Sequence, residues 1–266
     1  MKFEINSSLL KEVLNKVGSL TGECELQFKP TGMEIEVIDD ACVCMGNVVV
    51  PNTEFSNYGI TGESEKGGID IPLVLNILKR FTGKCSFEFL KSSLVISDGN
   101  KRFAIRQKTV DNNIQDVSKL EFDTEFKIKA DTFSEILKDA FALIYPPAEE
   151  SGSLLIETDE KNKKVVFKQI VEQNEFKKEI VETAEKNSWC PLKDVKGKGK
   201  GNYPLEYLRK IKPNNANYMS EMMELKFKKE YPMQLKYEKD KVKYKFIVAP
   251  RVTDEEESKD EGERDE

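Results

Sequence analysis

Apolar residues recur at i, i+3, i+4 and i+7 in several stretches of the chain, which is the spacing of one face of an α-helix. Two of these stretches begin with a proline, which suits the first turn of a helix because that turn has no internal partner for its backbone N–H. A third begins with the typical cap residues Asp131 and Thr132, with Glu135 close behind. The pattern predicts four helices, at residues 7–20, 71–81, 131–144 and 203–211.

Each predicted helix is followed by segments in which apolar and polar residues alternate, as they do in half-buried β-strands. Turn signals such as Asp98-Gly99 interrupt the alternation, which indicates antiparallel strands joined by short turns. The unit of a helix and a strand meander thus occurs four times, and two units make one domain. We therefore expect an α+β fold with two similar domains, at residues 1–122 and 123–252.

Two segments follow neither pattern. Residues 109–125 are polar with a few apolar positions, and we interpret them as a long surface connector between the domains. Residues 193–202 alternate glycine and lysine, which predicts a flexible loop, with contact to phosphate groups as the alternative hypothesis.

Acidic residues are concentrated at the end of the chain. Residues 253–266 contain nine acids, two bases and almost nothing apolar, which predicts a disordered tail. Such a tail would favour solubility, or it would repel DNA or wrong partners. The rest of the chain carries 40 bases against 39 acids, so any basic surface must come from the segregation of charges within a nearly neutral body.

Little in the sequence favours an enzyme. The chain has no histidine and no phosphate-binding Walker motif, and the side chains of the adjacent Asp39 and Asp40 must diverge. The five cysteines include no C-x-x-C pair, so Cys42 and Cys44 are predicted to be core residues and not metal ligands. No apolar run approaches the roughly 18 residues of a membrane span. We expect an intracellular, non-catalytic protein without a cofactor or a metal.

Six stretches spread over the chain resemble the sliding clamps of the PCNA family, and the similarity is closest to the archaeal members. The most specific combination is YPLEYL, YPMQLKY and FIVAPR. The resemblance implies a ring that encircles double-stranded DNA without reading its sequence and works on chromosomal DNA in replication and repair. It also implies that DNA polymerase, clamp loader, nuclease and ligase bind through short peptide motifs. The stretches are residues 34–51, 55–60, 69–81, 203–211, 231–237 and 246–252.

If the four helices line the hole of such a ring, they should be more basic than the rest of the chain. Bases outnumber acids on three of them, the exception being residues 131–144. A basic lining would hold the phosphate backbone without base contacts, so that the ring can slide, whereas the ordinary alternative is a set of solvated helix faces. The residues expected to face DNA are Lys11, Lys16, Lys79, Arg80, Lys84, Lys138, Arg209, Lys210 and Lys212.

The resemblance implies that an edge strand of each domain pairs with the neighbouring subunit. Residues 101–110 are rich in lysine and arginine and residues 174–183 carry three glutamates, so the two edges are partly complementary. Because the two edges differ, the contacts must close into a ring by rotation. With two domains per chain, three chains give six domains around the hole, so we predict a homotrimer, with a heterotrimer as the alternative. The expected interface residues are Arg102, Ala104, Arg106, Lys108, Phe176, Lys178, Ile180 and Glu182.

The last predicted strand ends at Pro250, which has no N–H to donate to a neighbouring strand. In the family, partner peptides insert an apolar side chain into a groove beside the connector. Matching the family position by position places the groove at Ile38, Val43, Leu120, Phe122, Pro232, Ile247, Val248, Ala249 and Pro250.

Two functions remain as alternatives to a replicative clamp. One is a checkpoint-type or accessory clamp subunit in a heterotrimer, and the other is a protein-interaction scaffold without DNA.

Overall fold

The described helices begin and end within a few residues of the predicted bounds. Asn6 caps the first helix by accepting a hydrogen bond from the Ser8 N–H at 2.9 Å, and Asp70 caps the second by accepting one from the Leu73 N–H at 2.9 Å. The helices are α1 (Ser7–Val17), α2 (Ile71–Leu78), α3 (Ala130–Phe141) and α4 (Leu205–Ile211). The structure is a computed structural model that describes residues 1–60, 64–110, 114, 116–144, 152–183, 190–213 and 222–251.

Antiparallel strands form the rest of the described fold. The first half of the chain contributes β1 (Lys2–Asn6), β2 (Glu23–Lys29), β3 (Gly32–Ile38), β4 (Cys44–Pro51), β5 (Phe55–Ser56), β6 (Glu65–Asp70), β7 (Lys84–Phe89), β8 (Ser93–Ser97) and β9 (Arg102–Arg106). The second half contributes β10 (Thr124–Lys129), β11 (Ser153–Asp159), β12 (Lys164–Val171), β13 (Asn174–Val181), β14 (Leu192–Lys196), β15 (Lys200–Pro204), β16 (Met222–Phe227), β17 (Met233–Lys239) and β18 (Val242–Val248).

The strands are arranged in three sheets. A nine-stranded sheet has the order β14-β10-β16-β17-β18-β4-β3-β2-β6, so strands of both halves of the chain share it. The halves meet where β18 pairs with β4, from Lys243 opposite Val49 to Val248 opposite Cys44. A five-stranded sheet in the order β5-β1-β7-β8-β9 belongs to the first half, and a four-stranded sheet in the order β13-β12-β11-β15 belongs to the second.

The four helices follow one another in the order α2, α1, α4, α3. Helix α1 packs against α2 and α3 packs against α4. The side chain of Lys16 on α1 reaches the end of α4, where its Nζ donates to the Lys210 carbonyl at 2.7 Å. Apolar residues of the helices and of the facing strands, such as Leu14, Phe133 and Phe246, are fully buried between the layers. The α+β architecture therefore has a continuous helix row across both halves, as the repeated unit predicts.

The prediction of a flexible loop at residues 193–202 is wrong, because these residues form β14, β15 and the short turn between them. The glycines make room for close contacts. A Cβ at Gly197, which has a φ of 75°, would lie 2.2 Å from the Asp123 carbonyl oxygen, and one at Gly201 would lie 2.6 Å from the Tyr203 hydroxyl of the same strand. The glycines thus serve a tight turn and the packing of an aromatic side chain, and they do not indicate a flexible loop.

The cysteine prediction is half wrong. Cys44 is buried, but Cys42 is exposed at a left-handed turn with a φ of 56°. Asp39 and Asp40 do diverge, since Asp39 is buried and Asp40 is exposed. Within the described ranges, no cluster of acids and cysteines is placed to hold a metal ion, and no helix is long and apolar enough to cross a membrane. The predicted acidic tail at residues 253–266 lies outside the described residues.

Candidate DNA, subunit and peptide interfaces

The helix row presents several cations to solvent. Lys79 and Arg80 are exposed at the end of α2, and the Lys101 side chain joins them by donating to the Arg80 carbonyl at 2.8 Å. Lys138 on α3 and Arg209 on α4 are also exposed, and the Arg209 guanidinium lies 4.5 Å from the centre of the Phe141 ring. Lys101 was not among the predicted residues, because it lies in a turn after β8 that only the folded chain brings to the helix end.

Lys212 shows that cations of α3 and α4 converge. Its ammonium donates to the Ser134 hydroxyl at 3.0 Å, and burial lowers its pKa, with the charges of Lys138 and Arg209 adding to the effect. Repulsion of this kind means that the three cations lie close together, which is an arrangement that an anion would relieve.

The other predicted cations are Lys11, Lys84 and Lys210. Lys11 and Lys210 are half-buried, and Lys210 contacts Glu206. Lys84 is exposed and donates to the Ser56 hydroxyl at 2.7 Å.

Lys16 does not face DNA, contrary to the prediction. Its side chain is only 3% exposed, and its Nζ donates to the carbonyls of Lys210 and Lys212 at 2.7 and 2.5 Å. Burial lowers the pKa of Lys16 to about 7, with the charge of Lys212 adding to the effect and that of Glu12 opposing it. Lys16 therefore joins the two halves of the chain from inside. A signal was present in the sequence, since Lys16 lies three residues after Val13 on the apolar face of α1.

The two predicted subunit edges are both edge strands. Strand β9 ends the five-stranded sheet and β13 ends the four-stranded sheet. In the β8–β9 ladder the Gln107 N–H donates to the Ser92 carbonyl at 3.1 Å. Because hydrogen-bonded pairs alternate along an antiparallel ladder, the N–H and C=O groups of Arg102, Ala104 and Arg106 point away from β8 to the open edge. These groups are available to a strand of another chain.

The side chains of the two edges divide into an outer face and a face towards the helices. On β9, Arg102, Ala104 and Arg106 are exposed on the outer face, whereas Phe103 and Ile105 are half-buried towards the helices. On β13 the exposed Glu175 and Glu179 alternate with inward residues and so share the outer face, opposite Ile170 and Val166 of β12. Side chains on opposite faces of a sheet cannot meet. Glu175 and Glu179, two of the three glutamates behind the predicted charge complementarity, therefore lie on the outer face, as Arg102 and Arg106 do on β9.

The other predicted β13 residues lie on the helix side. Phe176, Lys178 and Ile180 alternate with the glutamates, and Ile180 is buried within its own subunit. Phe176 therefore matches Phe103 and Ile105, and not the arginines with which it was predicted to share a surface. Sequence alternation fixes which residues of one strand share a face, but it does not say which face of a second strand they meet.

Two predicted interface residues are engaged within the chain. Lys108 contacts Glu23 and lies 3.6 Å from Asp70, and its N–H donates to the Gly68 carbonyl at 3.1 Å. The carboxylate of Glu182 accepts from the N–H groups of Asp194 and Val195 at 3.1 and 3.3 Å. Both side chains thus have partners within their own chain, and their place at a subunit interface stays a prediction.

The large apolar side chains that are exposed in the described structure flank the same two edges. Leu73 and Leu90, 41% and 45% exposed, lie where β9 ends, beside Arg106 and Gln107. Ile170 and Val181, 66% and 48% exposed, lie on and beside β13. Exposed apolar groups next to open strand edges indicate that another protein surface covers them.

An apolar row crosses the outer face of the nine-stranded sheet where the two halves meet. Strand register places Ile247 of β18 opposite Met45 of β4, and Met45 opposite Ile38 of β3. The connector residues Ile114 and Val117 lie over Met45 and Ile247, and together they border a cavity of about 340 Å³. A slot with an apolar row and polar neighbours thus lies between the sheet and the connector, and of the nine predicted groove residues Ile247 lines it.

Most of the predicted groove residues, Ile38 among them, do not line this slot. Its connector wall is formed by Ile114 and Val117 and not by Leu120, and Phe122 packs against the Tyr231 ring with centroids 6.1 Å apart. The side chain of Val248 is fully buried and cannot line a surface slot. The half-buried Val43, Pro232, Ala249 and Pro250 lie outside the cavity lining, and the Ala249 N–H donates to the Val43 carbonyl at 2.8 Å.

Met45 was missed, although a signal exists. Met45 and Asn47 both point outward from β4, and an apolar residue at an outward position is the exception that marks a contact surface. The remaining wall of the cavity is polar, because the next cross-strand row contains Lys245, Asn47 and Glu36. Asn47 Nδ2 donates to a Glu36 carboxylate oxygen at 3.0 Å.

The loop beside the slot is held by Asp39. Its carboxylate accepts from the N–H groups of Val43 and Cys44 at 2.9 and 2.5 Å and from the Tyr207 hydroxyl at 2.6 Å. Burial raises the pKa of Tyr207, and the hydrogen bond to Asp39 adds to the effect. Because Tyr207 lies on α4, this contact fixes the loop of the first half against the second half.

The chain is similar over most of its length to curated archaeal proteins. It is 26% identical over 273 residues to the DNA polymerase sliding clamp of Thermococcus sibiricus, with 95% of this chain and 99% of that protein covered. It is 23% identical over 248 residues to the DNA polymerase sliding clamp of Thermofilum pendens, with 91% of this chain and 95% of that protein covered. No protein-family model matches the chain.

Solved structures show the same fold. A. fulgidus PCNA bound to the C-terminal region of FEN-1 superimposes with a TM-score of 0.79 at 18% identity, covering 95% of this chain and 98% of that one. A PCNA2–PCNA3 complex of Sulfolobus tokodaii gives a TM-score of 0.73 at 18% identity, covering 94% and 99%. These similarities confirm the predicted α+β clamp fold and the predicted resemblance to the PCNA-family sliding clamps of archaea.

Proposed function

We propose that this chain is one subunit of a ring-shaped DNA sliding clamp, which encircles duplex DNA and tethers replication and repair enzymes to it. The similarity to archaeal DNA polymerase sliding clamps over more than nine-tenths of the chain supports this function. The subunit catalyses no reaction and needs no cofactor. It acts inside the cell on chromosomal DNA, with domains at residues 1–122 and 123–252.

The arrangement of open edges is the observation that carries the proposal. Within the chain, the β18–β4 junction joins five strands of the second half to four strands of the first. Strand β9 ends a sheet of five strands and β13 ends a sheet of four. Pairing β9 with β13 of a neighbour would therefore build a second nine-stranded sheet, with five strands of the first half and four of the second. Such a contact between unlike edges closes by rotation, and three chains give six junctions around a hole, three within the chains and three between them.

Side-chain chemistry supports this pairing. In an antiparallel pairing, Arg102 and Arg106 on the outer face would meet Glu179 and Glu175, and on the helix side Ile105 would then meet Phe176. Cross-strand pairs of opposite charge and of apolar residues stabilise a sheet, and like charges would penalise a shifted register. The exposed apolar residues that flank both edges would also be covered.

The helix row supplies the wall that faces DNA. Exposed Lys79, Arg80, Lys138 and Arg209 present positive charge without a pocket that could read a base edge. Contacts of this kind bind phosphates independently of sequence and weaken as salt rises. The converging charges of Lys138, Arg209 and Lys212 would be relieved by one phosphate group.

The slot formed by Met45 and Ile247 with the connector would hold the peptide motif of a polymerase, nuclease, ligase or clamp loader. FEN-1 binds A. fulgidus PCNA through its C-terminal region. A small apolar contact of this kind has a dissociation constant on the order of micromolar. Because DNA tethers both proteins, the second contact becomes intramolecular, and this weak binding suffices to keep an enzyme at its substrate.

The test is DNA synthesis by a polymerase from a related archaeon on primed circular DNA, with clamp loader. We expect the protein to lengthen the products, and we expect the Lys79→Glu/Arg80→Glu double variant to lose this stimulation while it remains an intact oligomer. The Lys243→Glu variant, which changes an exposed lysine of the outer sheet face, is the control and should retain stimulation. Absence of stimulation by the intact wild-type oligomer would contradict the replicative role.

A heterotrimeric clamp is the second candidate. The similarity to the PCNA2–PCNA3 complex of Sulfolobus tokodaii favours it, because those clamp chains assemble with one another. Light scattering of the purified chain at micromolar concentration separates the two states. A trimer supports self-closure, whereas a monomer indicates that the open edges of β9 and β13 pair with other clamp chains.

A further inference from the structure

Two lysines lie directly opposite each other beside the apolar slot. Strand register places Lys236 of β17 opposite Lys245 of β18, and Lys245 lines the cavity that the connector covers. Like charges in directly opposed positions of a sheet are unfavourable. Burial lowers the pKa of Lys236, and the charges of Lys245 and Lys226 add to the effect, whereas that of Glu224 opposes it. Two positive charges therefore lie side by side at this end of the slot.

Other lysines on the same sheet face contact carboxylates. The ammonium of Lys226 lies 2.8 Å from Glu125, and Lys127 lies 2.7 Å from Asp194. The Lys245 ammonium makes no hydrogen bond or ion pair with any residue that the structure describes.

The two acids that line the cavity each accept a hydrogen bond from within the chain. Glu36 accepts from Asn47 at 3.0 Å, and Asp116 accepts from the Ser118 N–H at 2.9 Å. The slot therefore combines an apolar floor with one cation that has no carboxylate of its own among the described residues.

We propose that the peptide which fills the slot carries an aspartate or glutamate beside its apolar anchor, and that Lys245 binds this carboxylate with support from Lys236. The inference rests on the proposed function of the slot as a site for partner peptides. The row of Lys245 and Asn47 lies two residues along the strands from the row of Ile247 and Met45, which is about 7 Å. An anchor on the apolar row and an acid two residues away in an extended peptide meet both rows at once.

A peptide of a partner protein fits this slot better than two other acidic ligands, which are DNA and residues 253–266 of this chain. The apolar row needs an apolar side chain, which a phosphate backbone lacks and which residues 253–266 of this chain also lack. The lysines point from the outer face of the sheet, away from the helix row whose cations would meet DNA. A carboxylate next to an apolar side chain is the chemistry that matches both neighbouring rows.

The experiment selects ligands from random sequences, so the partner protein need not be identified first. A library of random peptides displayed on phage is panned against the intact oligomer and against its Lys245→Gln variant. We expect the wild type to enrich peptides with an apolar anchor and an aspartate or glutamate nearby, and we expect Lys245→Gln to enrich the same anchor without the acid. Lys243→Gln is the matched control, because Lys243 lies two residues away on the same face of β18 but does not line the cavity.

The recovered peptide then enters a double-mutant cycle measured by fluorescence anisotropy. Replacing its acid with the amide should weaken binding to the wild type and to Lys243→Gln about three- to tenfold, and should leave binding to Lys245→Gln unchanged. Equal weakening for all three proteins would overturn the inference. A free peptide of residues 253–266 that competes as well as the recovered peptide would also overturn it, because the chain's own tail would then be the occupant.

Failure of the inference and failure of the proposed function give different results. Enrichment of apolar anchors without acids would overturn only the role of Lys245. The slot variant Met45→Glu should abolish the binding of the recovered peptides. If it abolishes the binding of none of them, the slot is not a partner site, which contradicts the tethering part of the proposed function. Replacing Lys245 removes a repulsion with Lys236, so loss of the fold does not confound either readout.

Discussion

The junction of β18 with β4 is closed within the chain, whereas β9 and β13 are edge strands, and different forces suit these two kinds of place. At the closed junction, β18 pairs with β4 and places Phe246 opposite Gly46 in the fully buried core. The open edges of β9 and β13 instead present exposed arginines and glutamates, with only half-buried phenylalanines behind them. Both places have the geometry of a β-sheet, but buried apolar side chains line the junction whereas exposed charged side chains line the edges.

Buried polar contacts strengthen the closed junction further. Lys16 of the first half donates to carbonyls at the end of α4, and the Tyr207 hydroxyl donates to Asp39 across the same junction. Lys239 of the second half is 3% exposed and contacts Glu12 of α1. Breaking such contacts would leave charges buried, which is strongly unfavourable. Exposed ion pairs are weaker and are screened by salt. A ring with these two kinds of junction would open between subunits and not within one.

Blocking the open edge should have the largest effect on assembly. Ala104→Pro removes an N–H that points away from β8, so the subunit keeps its own ladder but cannot pair with a neighbour. We expect monomers at micromolar concentration by light scattering, with an unchanged circular dichroism spectrum. Ala104→Ser, which retains the N–H, should remain oligomeric. A fully assembled Ala104→Pro protein would show that β9 is not the contact strand.

Disturbing the closed junction should destabilise the subunit and leave assembly intact. A Cβ at Gly46 would lie 3.0 Å from the Phe246 ring and 3.2 Å from Leu20, so Gly46→Val overfills the core. We expect a loss of about 1–3 kcal/mol in the free energy of unfolding. Gly22→Ala is the control, because nothing lies within 4 Å of the added Cβ. Dissociation of folded Gly46→Val subunits would reverse our comparison of the junctions.

Reversing the edge charges should have an intermediate effect that can be rescued. Arg102→Glu with Arg106→Glu places acids opposite Glu175 and Glu179, and we expect the subunit dissociation constant to rise roughly tenfold or more. Adding Glu175→Lys and Glu179→Lys in the same chain should restore assembly. Sedimentation over a range of salt concentrations measures both effects. Failure of the second pair to rescue would show that these four side chains do not share an interface.

The smallest effect concerns pH. The folded pKa of Lys16 lies near 7 and its unfolded value near 10.5, so the unfolded chain binds more protons between these values. Stability should therefore rise with pH across this window, by at most about 1.4 kcal/mol per pH unit from this group. Lys212 shifts in the same direction, and Glu12 and Lys239 face the site, so the Lys16→Met variant isolates the contribution. Urea unfolding at several pH values should give a flatter profile for the variant; parallel profiles would contradict the assignment.

Periodicity predicted the helices and strands well because it follows from which side of an element meets the core. It failed where tertiary contact decides. Lys16 has the charge of a DNA-facing residue, yet it lies on the apolar face of α1, and the ends of α1 and α4 enclose it. Met45 stands out as an apolar residue at an outward position, but only the convergence of two distant segments shows that Val117 covers it. Residues 193–202 have the composition of a loop, but their glycines serve a tight turn and contact with the Tyr203 ring.

The most direct test of the ring is electron cryo-microscopy of the purified protein with a DNA duplex. We predict three copies joined through β9 and β13, with helices α1 to α4 of each copy around the hole and duplex density inside it. A particle whose helices face outward, or whose β9 edge remains open while DNA lies elsewhere, would contradict the account.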